Sequence, residues 1–305
     1  MITLTNASRW YGQVIGLNDV TCEIQPGLTA LLGMNGAGKS TMLRLITGQI
    51  RPTTGSVLIQ GQEPFANPEV YKHLGYCPEI DNFYENMTGR QFVQYLARLA
   101  GFSATQAKAL TIEMLQRVGM ADRADKRIKG YSKGMRQRIK LAQAMIHSPE
   151  IILLDEPLNG LDPVGRREYI DLLHDLALEG KTIVVSSHIL YEVESMTKSI
   201  LLLHRGRLLA TGDLRVIRGL IDKYPHRVRV ETDDPRRAAQ LLSPLPNVVS
   251  LRFDPTGDAI ELEVRDPDAF YQALGNFVLD ENLPVSAFSS PDNNLESVFQ
   301  YLVHS

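Results

Sequence analysis

The sequence is poor in the residues that build disulfide frameworks and metal centres. Of its 305 residues only two are cysteine, Cys22 and Cys77, and no C-x-x-C pair occurs. This argues against a disulfide-stapled secreted domain and against a structural zinc site. Both thiols are therefore expected to behave as small apolar residues in a reducing compartment.

Long apolar runs are also missing. No stretch approaches the roughly 18 to 20 apolar residues that a membrane helix needs. Residues 1–6 have neither the basic nor the apolar segment of a signal peptide. We therefore expect a cytoplasmic protein, in which any membrane role would come through a partner.

A strong excess of one charge is absent as well. The formal net charge is −3, so no broad basic face is indicated and no nucleic-acid partner is expected. The 44% hydrophobic content is ordinary for a globular protein with a sizeable core. The length favours about two domains.

A glycine-rich octet lies between a predicted strand and a predicted helix. Residues 33–40 fit the pattern G-x-x-x-x-G-K-[ST], whose backbone N–H groups wrap phosphates. The apolar run 28–32 precedes it, and residues 39–47 are predicted to form a helix that ends at Gly48. Unpaired N–H groups and the helix dipole would both face an anion there.

This segment predicts a nucleotide site; the alternative is a chance glycine turn before a helix. Lys39 is expected to reach the β- and γ-phosphates, Ser40 to ligate Mg²⁺, and Thr41 to add a hydroxyl near the α-phosphate. The predicted nucleotide-binding residues of the loop are Gly33, Asn35, Gly36, Ala37, Gly38, Lys39, Ser40 and Thr41.

Two carboxylates follow a second apolar strand. Asp155 and Glu156 come directly after residues 151–154, which are all apolar. The end of a parallel strand would bring them to the edge where the phosphate loop lies. Asp155 suits Mg²⁺ ligation, directly or through water, and Glu156 suits polarising the water that attacks a γ-phosphate. The alternative is an acidic strand end that enters a loop.

A second helix N-terminus carries a serine and a glycine. Residues 131–138 open a predicted helix with Ser132 as its N-cap and Gly134 in its first turn. Such a terminus is a second potential anion site. Taken alone the signal is weak, because basic helix starts on solvated faces are common.

Strands alternate with helices along the first two thirds of the chain. This order predicts a mostly parallel sheet that is covered on both faces. Residues from about 84 to 148 are helical in pattern, and Asp162 with Pro163 opens a later helix that Gly180 ends. A hairpin that turns at Arg205 and Gly206 is expected to close the first domain near Asp213.

A second, smaller domain is predicted at 226–305, after a linker at 214–225. Its pattern is β-α-β-β-α-β with a final helix at 295–302, the order of a ferredoxin-like domain. It holds no cluster of catalytic side chains. We therefore expect a regulatory or assembly module.

The motifs occur in an order that resembles a known family. The phosphate loop, residues 131–138, 155–157, 161–162 and 187–188 are similar to the Walker A, signature, Walker B, D-loop and H-loop of an ABC transporter ATP-binding subunit. The resemblance covers residues 1–213. Through the domain order and residues 294–299 it extends to export-type transporters with a separate membrane subunit and a small C-terminal domain.

The resemblance implies an α/β fold of the P-loop NTPase class. It is of the ABC type, with a RecA-like core, a helical subdomain at about 84–148 and a C-terminal ferredoxin-like α+β domain. It also implies an ATPase that uses ATP and Mg²⁺. Its expected partners are a second copy or a homologous ATPase subunit, and an integral membrane permease.

The resemblance also implies roles for single residues. In a head-to-tail dimer each ATP would lie between residues 36–41 of one subunit and Ser132 to Gly134 of the other. Tyr11 matches the aromatic residue that stacks on adenine, and His188 the residue that contacts the γ-phosphate. Asp162 matches the D-loop aspartate that tunes communication between the sites.

Three motifs depart from the family pattern. Lys133, Gly134 and Met135 stand where two glycines and a glutamine are usual, and Met34 stands where proline is common. Glu79 occupies the position of the Q-loop glutamine. Its carboxylate can still ligate Mg²⁺, but it adds negative charge beside Asp155 and Glu156. Either the metal is held more tightly or turnover is slower.

Two other functions are alternatives to that of an ABC transporter ATP-binding subunit. A soluble ABC ATPase of assembly or translation would lack a membrane partner, although translation-type members resemble two cassettes in tandem. A P-loop kinase would have no use for the signature or for His188. Four aromatic residues, Tyr71, Tyr76, Phe83 and Tyr84, surround the Q-loop and are expected either to dock the membrane subunit or to pack the seam between subdomains.

Overall fold

The computed structural model describes residues 1–213, 225–255 and 257–290. The chain divides into two compact units, Met1–Asp213 and Leu214–Ser305. The predicted linker, apart from Pro225, lies outside the described residues. So do the predicted final helix and residues 294–299.

A six-stranded sheet forms the centre of the first unit. Its strands are β3 (Gly27–Leu32), β5 (Leu74–Cys77), β6 (Ile151–Leu154), β7 (Thr182–Ser187), β8 (Ser199–His204) and β9 (Arg207–Asp213). Their order is β5-β6-β7-β3-β8-β9. Strands β5, β6, β7, β3 and β8 are parallel, and β9 runs antiparallel to β8 across the predicted hairpin.

Both faces of this sheet are buried. Ile151 and Leu153 belong to one apolar core, whereas Ile152 and Leu154 belong to the other. Successive side chains of a strand point to opposite faces, so a strand between two cores must be apolar throughout. The prediction of a mostly parallel, doubly covered sheet is confirmed.

A separate three-stranded antiparallel sheet covers one side of the unit. It consists of β1 (Ile2–Tyr11), β2 (Val14–Ile24) and β4 (Thr54–Ile59), in the order β2-β1-β4. Helix α1 (Lys39–Ile46) packs in the core beneath it. Periodicity identifies these strands but not the sheet that they join, because pairing depends on distant partners.

Most of the remaining α-helices of the first unit begin at side-chain caps or prolines; an exception begins after Ile189, which makes no side-chain cap hydrogen bond. The remaining α-helices are α2 (Pro68–Tyr71), α3 (Gly89–Leu99), α4 (Ala104–Arg117), α5 (Lys133–Met145), α6 (Pro163–Leu178) and α7 (Leu190–Met196). Thr88 and Ser103 form capping boxes before α3 and α4. Helices α3, α4 and α5 contact one another and form the predicted helical subdomain.

The second unit has the ferredoxin-like topology that the sequence predicts. Its elements are β10 (His226–Thr232), α8 (Pro235–Leu242), β11 (Val248–Phe253), β12 (Ala259–Val264), α9 (Pro267–Asp280) and β13 (Val285–Ser289). The antiparallel strands follow the order β11-β12-β10-β13. Val230, Leu242, Ile260 and Phe270 are fully buried in its core.

Candidate functional site

The phosphate loop connects the end of β3 to the start of α1. Gly38 is the N-cap of α1 and has a φ of 108°, in the left-handed region. A Cβ atom there would lie 2.5 Å from the carbonyl oxygen of Gly16, so only glycine fits. The Gly206 N–H donates to the Ala37 carbonyl at 2.9 Å. The loop is thus held by β2 on one side and by the β8–β9 turn on the other.

A cavity of about 510 Å³ lies over this loop. Its lining consists of Tyr11, Val14, Ile15, Gly16, Met34, Asn35, Gly36, Ala37, Gly38, Lys39, Ser40, Thr41, Glu79 and Glu156. Most of the predicted nucleotide-binding residues therefore face one space. Gly33 lies behind it, buried, and its carbonyl oxygen accepts a hydrogen bond from Lys39.

Lys39 is a buried ammonium group between backbone and carboxylate. Its Nζ lies 2.6 Å from the Gly33 carbonyl oxygen and 3.1 Å from Glu156 Oε1. The Lys39 and Glu156 side chains are only 6% and 8% exposed. A buried ammonium and carboxylate tolerate low exposure only when they are paired. Phosphate oxygens in the cavity would reach this same ammonium.

Glu156 is fixed by contacts on both sides. Its Oε2 lies 2.9 Å from Nδ1 of His188, so the two predicted catalytic side chains are within hydrogen-bonding distance. Its backbone has a left-handed φ of 50°. Its N–H donates to Ser186 Oγ at 2.8 Å, and the Ser186 hydroxyl is 2.7 Å from Asp155 Oδ1. Because β6 and β7 are adjacent and parallel, their ends bring these groups together.

A second network behind His188 escapes sequence reasoning. The Ser187 hydroxyl lies 2.8 Å from Oε2 of Glu192, and Arg166 Nε lies 3.4 Å from Oε1 of the same carboxylate. The Ile189 N–H donates to Ser187 Oγ at 3.1 Å. The turn that carries His188 is thereby tied to α6. The feature of the sequence that could have indicated this network is Glu192, which lies four residues after His188 in the next helix.

Tyr11 lies at the mouth of the cavity. Its side chain is 40% exposed, and the Arg9 guanidinium lies 5.0 Å from the ring centroid. An added Cβ on Gly16 would come within 2.8 Å of the ring, so the tyrosine rests on the Gly16 backbone. Arg9 and Gly16 were not predicted from the sequence, since neither belongs to a motif.

The predicted metal ligands are distributed around the cavity. Ser40 and Glu79 line it, whereas Asp155 lies behind it on Ser186. Within the described residues no group of three or more His, Cys, Asp or Glu forms a preformed metal cage. This donor set fits Mg²⁺ that is held largely by nucleotide phosphates and few protein oxygens.

Burial, with a smaller contribution from Asp155, raises the pKa of Tyr76 well above its usual value and keeps its phenol neutral.

The signature residues stand apart from the phosphate loop of their own chain. Ser132 is the predicted N-cap of α5, and its hydroxyl accepts from the Met135 N–H at 3.3 Å. Among the described residues that line the phosphate cavity, neither Ser132 nor Gly134 occurs. Lys133 lines a second cavity of about 410 Å³, together with Glu79 and Glu156.

The aromatic residues around the Q-loop divide into two groups. Phe83 is half-buried, packs edge-on against Phe92 at 5.1 Å between centroids, and lies 5.6 Å from the Arg136 guanidinium. Tyr84 is 58% exposed and Tyr71 is 39% exposed. Phe83 therefore packs against side chains of α3 and α5 in the helical subdomain, while Tyr71 and Tyr84 remain on the surface.

Several known proteins are similar to this chain in sequence and in fold. The profile of the ABC transporter family matches residues 17–159. The ABC transporter ATP-binding protein NatA of Bacillus subtilis is 38% identical over 70% of this chain and 90% of that protein. The bacitracin transport ATP-binding protein BcrA of Enterococcus faecalis is 31% identical over 99% and 96%. The dimeric structure of a bacterial ABC transporter cassette matches 70% of this chain and 99% of that chain, with a TM-score of 0.64 and 27% identity.

The chain therefore belongs to the ABC transporter family, as an ATP-binding subunit. It is an ATPase, and the resemblance stated from the motifs is confirmed. Membership of this family removes the P-loop kinase alternative. Over the described residues no helix has the length and apolar character that a membrane crossing requires. The roles of single site residues stay predictions.

Proposed function

We propose that this chain is the ATP-hydrolysing subunit of an ABC exporter and that it drives a separate membrane permease. The observation that carries the proposal is the Lys39–Glu156–His188 cluster at the phosphate cavity, with Lys39 Nζ 3.1 Å from Glu156 and His188 2.9 Å from it. The match to BcrA over nearly the whole chain supports the export role, since that protein is named for bacitracin transport.

ATP is expected to bind with its adenine on Tyr11 and its phosphates on residues 36–41. The loop N–H groups, the α1 N-terminus and Lys39 would neutralise phosphate charge. Bound Mg²⁺ would supply further neutralisation between the β- and γ-phosphates. Ser40, Glu79 and Asp155 are the residues proposed to hold it, directly or through water.

Hydrolysis needs a positioned water more than covalent chemistry. Glu156 is suited to orient that water, because Lys39 and His188 fix its two oxygens and Ser186 fixes its backbone. His188 would also contact the γ-phosphate. The hydrogen bonds of Ser187 and Glu192 would keep His188 in place during the reaction.

The ATPase is proposed to act as a head-to-tail dimer. The α5 N-terminus presents unpaired N–H groups beside Ser132 and Gly134, away from the cavity of its own chain. A second subunit, identical or homologous, would place this terminus against the γ-phosphate of its partner. The similarity to a dimeric ABC cassette supports this arrangement.

The permease is proposed to dock near the Q-loop. A groove of about 320 Å³ is lined by Tyr71, Leu74 and Tyr76 together with residues at the end of α1. Ile80 and Tyr84 nearby are 72% and 58% exposed. Exposed aromatic and aliphatic side chains supply contact area at an interface. The C-terminal unit, with its own core, is proposed to serve regulation or assembly.

Sedimentation and co-purification test the proposal. The Glu156→Gln protein should form more dimer with MgATP than with MgADP, because nucleotide joins two shared sites. A gene for a membrane protein beside this one is expected, and co-expression of the two should recover a membrane complex with raised ATPase activity. ATP-dependent dimers that associate with no membrane protein would instead support a soluble ABC ATPase of assembly or translation. Identical dimer fractions in both nucleotides would refute the shared site.

A further inference from the structure

A buried ammonium group joins α5 to the loop that follows β5. The Lys140 side chain is 3% exposed, and its Nζ lies 2.8 Å from the Pro78 carbonyl oxygen and 3.2 Å from that of Glu79. Asp81 Oδ1 lies 3.0 Å away. The ammonium thus donates to two backbone carbonyls and has a carboxylate as its counter-ion. A lysine buried to this extent needs such partners, because an uncompensated buried charge is strongly unfavourable.

Two further contacts fasten the same helix to the same segment. The Cys77 thiol donates to the Lys140 carbonyl at 3.2 Å, and burial raises the pKa of Cys77 to about 12, which keeps the donor protonated. One turn before Lys140, Arg136 makes a bidentate pair with Glu85 at 2.7 and 2.9 Å. Helix α5 therefore holds both ends of residues 77–85.

Lys140 stands between two parts of the proposed ATP machinery. Toward the helix N-terminus, two turns or about 10 Å away, are Lys133 and its neighbours Ser132 and Gly134. On the other side is Glu79, which lines the phosphate cavity. The Lys140 ammonium donates a hydrogen bond to the Glu79 carbonyl. A displacement of α5 would therefore be transmitted to the Glu79 loop.

We propose that Lys140 is a positioning residue for ATP hydrolysis. It sets residues 78–81 so that Glu79 faces the phosphates, and it ties this setting to the signature end of α5. This inference rests on the proposed dimer, in which that end of α5 contacts the ATP of the partner subunit. Through Lys140, ATP in one site would adjust Glu79 in the other, and hydrolysis would be cooperative.

The variant that tests this is Lys140→Met, which keeps the apolar stem and removes the ammonium. Because it removes the nearer of the two cations beside Asp81 and leaves Arg136 at 3.9 Å, a second variant combines Lys140→Met with Asp81→Asn and removes both charges. Lys181→Met is the matched control: the Lys181 ammonium donates to the Pro149 carbonyl at 2.8 Å, so the same substitution is made away from the loop and from the signature. ATP binding is followed by the fluorescence of Trp10, the only tryptophan, which precedes Tyr11.

We expect Lys140→Met to lower kcat by roughly 10- to 100-fold, the scale of a misplaced active-site group. Its Hill coefficient for ATP should fall toward one, its Mg²⁺ requirement should rise, and its ATP affinity should stay close to the parental value. The double variant should recover thermal stability without recovering kcat or cooperativity. Lys181→Met should keep the parental Hill coefficient and Mg²⁺ requirement.

Two results would overturn the inference alone. The first is that Lys140→Met keeps the parental kcat, cooperativity and Mg²⁺ dependence. The second is that the double variant recovers both stability and kinetics, which would make the lysine merely structural. In either case the Glu156→Gln protein would still dimerise with MgATP. Failure of that dimerisation would overturn the proposed function and this inference together.

Discussion

At the scale of single residues, Glu156 has the most completely defined surroundings. Both carboxylate oxygens have partners, and the backbone N–H is bound by Ser186. The left-handed φ of 50° shows that this backbone is held in place by its neighbours, since such a conformation is uncommon outside glycine. A residue held in this way suits a task that depends on orientation.

We expect Glu156→Gln to bind MgATP and to lose about 10²- to 10⁴-fold in hydrolysis, because the amide keeps the shape but cannot accept a proton. Phosphate release and Trp10 fluorescence measure the two properties separately. Glu69→Gln is the control, since Glu69 is exposed and pairs only with Lys72 among the described contacts. Hydrolysis within threefold of the parent would remove Glu156 from this role.

The Glu79 position gives a second test at this scale. If its carboxylate ligates or repels near the metal, Glu79→Gln should shift the Mg²⁺ concentration that gives half-maximal ATPase activity. A titration with Mg²⁺ at saturating ATP measures the shift, with Glu69→Gln again as the control. An unchanged metal requirement would leave Glu79 as a loop residue without a role at the metal.

At the scale of helices and strands, the sequence predicts local structure well and pairing poorly. The β-α-β-β-α-β order that the sequence predicts for the second domain is the order observed from β10 to β13. Asp162 caps α6 through its hydrogen bond with the Gly165 N–H, as its place before Pro163 indicates. These features depend on adjacent residues. The separate sheet of β1, β2 and β4 depends on distant strands, so no local pattern predicts it.

The same distinction applies to the site. The phosphate loop and the Asp155–Glu156 pair are visible because their residues are contiguous. The contacts of Glu156 with Lys39 and His188 join three separate segments. Lys140 gave no signal at all, because a lysine on an otherwise amphipathic helix is normally solvated. Its burial becomes apparent only when the loop after β5 is seen folded over it.

One helix–strand contact predicts a pH dependence of stability. His147, just after α5, lies with Nε2 2.9 Å from the Leu74 carbonyl of β5, and burial lowers its pKa below the usual 6.5. The folded protein thus resists protonation that the unfolded chain accepts. This contribution is present above pH 6.5 and is lost as the pH falls below it.

Urea unfolding at pH 7.5 and pH 5.5 measures this effect. The midpoint should fall at the lower pH in the parent and fall less in His147→Gln, whose amide can still donate to Leu74. His204, whose pKa is lowered mainly by burial, acts in the same direction and should leave a residual dependence. Equal pH dependence in both proteins would show that His147 does not contribute.

At the scale of the whole molecule, the exposure of the aromatic side chains around the Q-loop distinguishes those proposed to dock the membrane subunit from those that pack inside the protein. We expect Tyr84→Ala to weaken co-purification with the membrane subunit while basal ATPase activity stays nearly intact, because Tyr84 is largely exposed. Phe83→Ala should instead lower the melting temperature, because it removes the contact with Phe92. Pull-down and thermal melts of both variants make the comparison. Parental recovery of the membrane subunit by Tyr84→Ala would place the docking surface elsewhere.

Three glycines that are far apart in the sequence meet behind the phosphate loop. A side chain on Gly38 would strike Gly16, and Gly206 lies against both, with its Cα 3.4 Å from the place of a Gly38 Cβ. A side chain on Gly38 or Gly206 would press on the Gly16 backbone, whereas one on Gly16 would strike Tyr11 and Thr41. Neither Gly38 nor Gly206 can therefore acquire a side chain unless the backbone at Gly16 moves, so one segment of β2 constrains both positions. The loop is in this sense inherited as a unit with parts of β2 and the β8–β9 turn.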